Sequence, residues 1–292
     1  MNNRRRGWFK KSNVASIGFL GDEYALTWGV SFRKLRSAYS GACCRIRKAS
    51  DGTEQDFGFV SNYVDVAGIE SWLAGSEGRI KIFYDQIGSP KINFVQTNNT
   101  AAPIIAPSGV VTKNSDGDVY IDANGSSTWM VTAPESGSSQ PLDPNNAAYS
   151  WHGVFSDGVD GRLNRGQNTS TWSAILVAPI GTVTNSTLLV VVGTSNTIIN
   201  NVTGTFPAKR IISGVWVGAS IQRAVLNGVN NITNFVPNAS MRTATDPLYL
   251  GYYGGTTSGR ASRLIESVIS KTDVNANLNL INTRINDYYN CF

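Results

Sequence analysis

Cys43-Cys44-Arg45-Ile46-Arg47-Lys48-Ala49-Ser50-Asp51-Gly52 is the stretch on which the fold turns. Cys44 and Ile46 alternate with Arg45 and Arg47, so an extended segment shows one apolar and one basic face, the pattern of a half-buried strand. Asp51-Gly52 then offers a hairpin-type turn. Downstream, Phe57 to Val60 reads as a second short strand. Arg79 to Tyr84, with Ile80, Ile82 and Tyr84 in alternation, reads as a buried strand leading into Asp85-Gln86. Between them, Asp65 to Leu73 reads as a short helix with Asp65 as its N-cap and Gly75 as its stop. Upstream, Tyr24 to Tyr39 reads as a helix ended by Ser40-Gly41. There Leu26, Val30 and Leu35 fall near one face and Arg33, Lys34 and Arg36 on the other.

From about Pro90 to Leu250 only strands and turns are expected. Candidate strands are Val110 to Thr112, Val119 to Asp122, Trp129 to Thr132, Ala148 to Phe155, Trp172 to Ala178, Thr187 to Val192, Ile211 to Gln222, Arg223 to Leu226 and Leu248 to Gly251. Turn signals recur between them at Ser115-Asp116-Gly117, Asn124-Gly125, Ser156-Asp157-Gly158 and Asn227-Gly228, at the spacing of a β-sandwich. Leu264 to Ser270 adds a strand. Asp273 to Tyr289 closes the chain as a helix, with Leu278, Ile281, Ile285 and Tyr288 at helical spacing. The composition agrees: 15% charged residues and 29 glycines among 292 argue for strands joined by polar turns rather than a helical bundle. The expected fold class is all-β, with short N-terminal helices and a C-terminal helix. Residues 23–292 form one domain and residues 1–22 a basic arm.

The net charge of +5 belongs to that arm, because Arg4, Arg5, Arg6, Lys10 and Lys11 account for all of it and the remaining charges cancel. A basic groove on the body of the domain, of the kind that tracks nucleic acid, is not supported. Trp8 and Phe9 lie within the arm, which reads as a docking peptide for another protein. No uninterrupted apolar run follows it, so no secretion signal is read, and the longest apolar runs, such as Leu188 to Val192, are far too short to span a membrane. Cys43 and Cys44 read as buried thiols and Cys291 stands alone, so no disulfide framework is implied. The chain's single histidine, His152, and its three cysteines have no zinc-site spacing. Asp116, Asp118 and Asp122 are a weak candidate for calcium, lacking the glycine and closing glutamate of an EF-hand loop. No other cofactor is expected.

Three stretches carry a family resemblance. Arg33-Lys34-Leu35-Arg36-Ser37-Ala38-Tyr39-Ser40-Gly41, running into Arg45-Ile46-Arg47-Lys48-Ala49-Ser50-Asp51, resembles the start of the concanavalin-like jelly-roll domain of the α-L-arabinofuranosidase B family. It is similar too to the openings of many bacteriophage and environmental proteins. Ile80-Lys81-Ile82-Phe83-Tyr84-Asp85-Gln86 resembles that family's strand and turn ending Tyr-Asp-Gln-Ser-Gly-Asn-Gly, with Ile87-Gly88-Ser89-Pro90 replacing the end of the turn. Tyr249-Leu250-Gly251-Tyr252-Tyr253-Gly254-Gly255, with Ser262 to Ser270 and the helix ending in Asn286-Asp287-Tyr288-Tyr289, resembles its last part.

The resemblance implies a lectin or glycosidase type of β-sandwich. A retaining glycosidase needs two carboxyls, about 5 Å apart, as nucleophile and acid/base. Where the family has its acid after Gly-Gly, this sequence has Thr256; where it has its nucleophile, the match places Ser173. From Ile87 onward the only glutamates are Glu135 and Glu266, and Asp157, Asp160 and Asp246 read as turn formers. A lectin-like site is therefore expected rather than a catalytic one. Its candidate residues are Trp151, His152, Tyr252, Tyr253 and Thr256, with Asn164, Arg165 and Gln167 in a loop over it, since sugars stack on aromatic rings and need fixed polar partners. The resemblance points to a non-enzymatic virion component of a bacteriophage, in capsid, tail or fibre. It would assemble in the host cytoplasm as a homo-oligomer, dock on other virion proteins through the arm and recognise cell-surface glycans. The alternative is a glycoside hydrolase with a rearranged carboxyl pair.

Overall fold

A computed structural model describes residues 18–123, 127–134, 148–156, 161–165, 172–177, 185–193, 195–203, 209–217, 220–226, 229–230, 247–251, 262–271 and 274–291. In chain order the elements are α1 (Leu20–Glu23), β1 (Leu26–Ser31), β2 (Cys44–Lys48), β3 (Glu54–Phe57), β4 (Phe59–Val60), β5 (Tyr63–Val64), α2 (Val66–Leu73), β6 (Gly78–Phe83), β7 (Ile92–Val95), β8 (Ile104–Ala106), β9 (Ile121–Ala123) and β10 (Met130–Pro134). There follow β11 (Ala148–Ser156), β12 (Gly161–Arg165), β13 (Trp172–Val177), β14 (Asn185–Gly193), β15 (Ser195–Thr203), β16 (Lys209–Val217), β17 (Ser220–Leu226), β18 (Val229–Asn230), β19 (Leu248–Leu250), β20 (Ser262–Ser270) and α3 (Val274–Tyr289).

Among the described residues all strand pairings are antiparallel. β3, β2 and β6 form an edge shared by two layers. From Gly78 and Arg79 of β6 one layer continues through β8, β9, β20, β11, β16, β17 and β18, with β1 pairing further along β20. From Ile82 and Phe83 of the same strand the other continues through β7, β10, β19, β12, β13, β14 and β15. Between the layers lies the main core, with Trp28, Ile46, Phe83, Phe94, Met130, Trp151, Leu250 and Leu264. A second core forms where α3 covers the outer face of β11, β16 and β20, burying Val154, Ile211, Val268, Ile281 and Ile285. This is the all-β sandwich with a C-terminal helix that the sequence leads one to expect.

Several local expectations hold. Asp65 caps α2, its Oδ1 accepting from the Gly68 N–H at 2.9 Å, and the chain leaves the helix through Ala74 and Gly75, both at positive φ. Cys43, Cys44 and Cys291 are buried free thiols.

The helix expected over Tyr24 to Tyr39 does not form. Leu26–Ser31 is instead a strand paired with β20. Trp28, Val30 and Phe32 all reach the main core, which period-two geometry allows and a helix would prevent. Their β-branched and aromatic side chains also favour extension. Val110–Thr112 is not a strand either, and the run from Ile211 to Gln222 divides between β16 and β17. Leu20, read as part of the arm, is buried in the second core, so the folded domain reaches back at least to α1.

The Tyr84-Asp85-Gln86 stretch is a structural brace. The buried Asp85 carboxylate accepts from the N–H groups of Gly29 (3.1 Å), Ile87 (2.9 Å), Gly88 (3.0 Å) and Ile92 (3.2 Å). Gln86 donates through Nε2 to the Ser31 and Arg33 carbonyls and accepts from the Leu35 N–H. Two side chains thus satisfy backbone groups that a buried loop would otherwise strand.

Candidate functional site

Trp151 and His152 were expected to wall a sugar site, but both are core residues. Trp151 lies between the layers, 1% exposed, with Nε1–H donating to Ser267 Oγ at 2.7 Å, so it offers no ring face to a ligand. His152 points the other way, under α3, and is fully buried. Its Nδ1–H donates to Asn282 Oδ1 at 2.8 Å, Ser213 Oγ–H donates to the same oxygen at 2.7 Å, and Nε2 accepts from Ser150 Oγ–H at 3.2 Å. Burial pushes the imidazole down to about 4, hence neutral, which that bonding pattern requires. The composition is that of a hydrolase relay. Enclosed beneath a helix, its work is to fix α3 on the sheet.

Asn164 and Arg165 lie in a strand rather than in a loop. On β12, Asn164 stands opposite Ala174 and Tyr249, and Arg165 opposite Ser173 and Leu248. The register therefore does bring these two residues beside Ser173, the position matched to the family nucleophile. Gln167, Tyr252, Tyr253, Thr256, Glu135, Asp157, Asp160, Asp246 and the arm residues Arg4, Arg5, Arg6, Trp8, Phe9, Lys10 and Lys11 lie outside the described residues.

Glu266, the late-strand carboxylate, is committed elsewhere. It is fully buried and takes a bidentate pair from Arg33, Nε to Oε2 at 2.7 Å and Nη2 to Oε1 at 2.8 Å. Ser31 Oγ–H and Tyr289 Oη–H donate to Oε2 at 2.7 and 3.1 Å. Arg33 also lies 4.3 Å from the centroid of the Tyr288 ring. Burial works against its charge, but Glu266 outweighs it and holds the guanidinium above its ordinary value. A carboxylate with four donors and no path to solvent neither attacks a sugar nor protonates one.

The three aspartates offered for calcium diverge. Asp118 and Asp116 both turn to Lys209 Nζ, at 2.8 and 3.2 Å, where the ammonium also donates to the Tyr289 carbonyl. Asp122 turns to Arg263 Nε at 3.0 Å. With each carboxylate answered by a basic side chain, the set does not fit a calcium ion. Among the described residues no three acidic, histidine or cysteine side chains gather as a metal site.

One surface cavity, of about 350 Å³, is lined by Ile104, Pro107, Thr112, Asp122 and Thr128. Sequence reading missed it as a site, because only the strand register shows that Asp122 on β9 stands opposite both Ile104 on β8 and Arg263 on β20.

The sandwich and its covering helix define a concanavalin-like jelly roll. Among solved structures the chain is similar to a GH54 α-L-arabinofuranosidase soaked with a cyclic sulfate inhibitor and to an arabinofuranosidase complexed with arabinofuranosyl-α-1,2-xylobiose. Each has a TM-score of 0.61 and 14% identity, over 89% of this chain and 62% of the other. The chain thus spans less than two thirds of those proteins, and at this identity the likeness is one of fold. No protein-family model matches the chain, and no curated protein matches its sequence. Among the described residues no helix is long and apolar enough to cross a membrane.

Proposed function

We propose that this domain recognises glycans without hydrolysing them, as a lectin-like structural module of a bacteriophage particle held there by its basic, aromatic N-terminal arm. The observation that carries the non-enzymatic reading is Glu266. It is the only glutamate beyond Ile87 among the described residues, and it is sealed in an ion pair with Arg33. Ser173 and Thr256 stand at the positions matched to the family's two carboxyls, and neither can serve as a carboxyl nucleophile or proton donor. The jelly roll supplies a scaffold, and what it binds depends on the groups mounted on it. The virion placement rests on the resemblance of the Arg33 to Asp51 opening to phage proteins, and homo-oligomerisation is the expected state for such a component.

The test is an array of bacterial and plant glycans probed with the full chain, alongside reducing-sugar release on the same glycans. Binding without release is expected. Release abolished by Asp157→Asn but not by loss of Glu266 would instead establish a hydrolase with a rearranged carboxyl pair. Neither binding nor release would leave a purely architectural lattice protein. Mass spectrometry of purified particles tests the virion placement, and failure to find the chain there would reject it.

A further inference from the structure

The cavity on the outer face of β8, β9 and β20 is lined by none of the described residues the sequence suggested for sugar binding. Val119, Ile121 and Ala123 point into the main core, so Tyr120 and Asp122 between them face the other side of the sheet, where Tyr120 packs into the second core and Asp122 lines the cavity. Direct pairing puts Ile104, Asp122 and Arg263 in one row on that side. Pro107, Thr112 and Thr128 complete the wall of a space of about 350 Å³, enough for one sugar ring but small for a larger ligand.

The polar groups there have unused capacity. Asp122 Oδ2 accepts from Arg263 Nε, while Oδ1 takes no side-chain bond among the described residues. The Arg263 guanidinium rests 5.2 Å from the centroid of the Tyr120 ring, which helps to hold the fork in place, and its hydrogen bond to Asp122 uses Nε, not the terminal nitrogens. Both side chains of the pair are about one third exposed, 30% for Arg263 and 34% for Asp122. Arg79, next in the same row, is occupied by Glu77 and by the Thr100 and Ala102 carbonyls.

We propose that this cavity is a subsite for a neutral sugar bearing vicinal hydroxyls, with Asp122 Oδ1 accepting from one hydroxyl and an Arg263 Nη–H donating to its neighbour. The inference rests on the glycan-binding reading and locates it. A paired carboxylate and guanidinium carry no net charge, so a carboxylate or phosphate ligand gains Arg263 only by meeting Asp122. A diol uses both at once. Ile104 and Pro107 present apolar surface to the C–H face of the ring, and Thr112 and Thr128 line the cavity beside it, with the Thr128 hydroxyl donating to the Asp122 carbonyl.

The experiment is a titration of the ¹⁵N-labelled full chain with the methyl glycosides of arabinofuranose, galactose, glucose and xylose, with glucuronate as the anionic control. Arg263 Nε–H and the Thr112 and Thr128 amides are followed. At least one neutral glycoside is expected to shift these signals saturably, with glucuronate binding no better. Asp122→Ala should weaken that binding about tenfold or more, the equivalent of one lost charge-assisted hydrogen bond. Ile104→Trp, at a partly exposed position, should fill the space and abolish binding without unfolding the chain. Saturable binding whose shifts fall elsewhere, and which both variants leave intact, overturns the subsite but keeps the glycan reading. Absence of binding by every sugar overturns both, and preference for glucuronate overturns the neutral-ligand assignment.

Discussion

Glu266→Gln is the most informative single change in this molecule. The amide keeps the shape of the carboxylate but removes its charge, leaving the Arg33 guanidinium buried at 3% exposure without a counter-charge. It also turns an N–H₂ group towards at least one of the donors that now bind Oε1 and Oε2. Removing one partner of a buried ion pair costs about 3–5 kcal/mol. An unfolding entropy near 2.1 cal/mol/K per residue gives about 0.6 kcal/mol per kelvin for 292 residues, so Tm should fall by about 5–8 °C. The double change Arg33→Met with Glu266→Leu removes both charges and should recover most of that loss, because the pair's mutual attraction was largely offset by its desolvation. Thermal unfolding followed by circular dichroism measures all three proteins. A single variant within about 1 °C of the parent, or a double variant no more stable than the single, would refute the argument that Glu266 is structural.

Four further outcomes are expected. His152 titrates at about 4 in the folded chain against 6.5 when unfolded. The unfolded state therefore binds the extra proton first as pH falls, and stability should drop by about 3 kcal/mol between pH 6.5 and 4. Urea midpoints across that range should slope accordingly, and His152→Gln should flatten the slope. Lys209→Met leaves the Asp118 carboxylate, 2% exposed, without its cation. A loss of about 3 kcal/mol is expected, with faster amide exchange in α3 because the Tyr289 carbonyl also loses its donor. Asp85→Ala strands the Gly29, Ile87, Gly88 and Ile92 amides and should cost about 3 kcal/mol or more by urea unfolding; a cost below 1 kcal/mol would mean that water replaces the carboxylate there. Gly109 has φ +75°, and a Cβ there would fall 2.5 Å from the Gly75 Cα, so Gly109→Ala should lower Tm by at least about 3 °C.

What could be read from the sequence was what short-range chemistry writes into neighbouring residues. The Asp65 cap, the Gly75 exit and the alternation of Cys44 and Ile46 against Arg45 and Arg47 each depend on a few adjacent positions, and each recurs in the structure. The terminal helix was legible for the same reason. β1 was not, because Leu26, Val30 and Leu35 satisfy a helical stripe as well as Trp28, Val30 and Phe32 satisfy a strand, and only burial on both faces decides between them. Arg33 read as solvent-facing because its partner is 233 residues away. β12, Gly-Arg-Leu-Asn-Arg, has one apolar side chain and gave no strand signal. Trp151 shows the limit for sites: an aromatic residue on a strand looks alike in sequence whether it faces a sugar or the main core, and here it is core. The Asp122–Arg263 pair was invisible because its meaning lies in a register between strands 141 residues apart.

The seating of β1 against β20 also governs when the protein can fold. Trp28, Val30 and Phe32 leave the ribosome long before the strand that pairs with theirs has been translated. At about 5–20 residues per second, the 233 residues between Arg33 and Glu266 correspond to roughly 10–50 s of synthesis. Throughout that interval an aromatic, β-prone segment stands without its pairing edge, a state that invites association between nascent chains. Yield in the cell should therefore depend more on chaperone supply and growth temperature than on the stability of the finished sandwich.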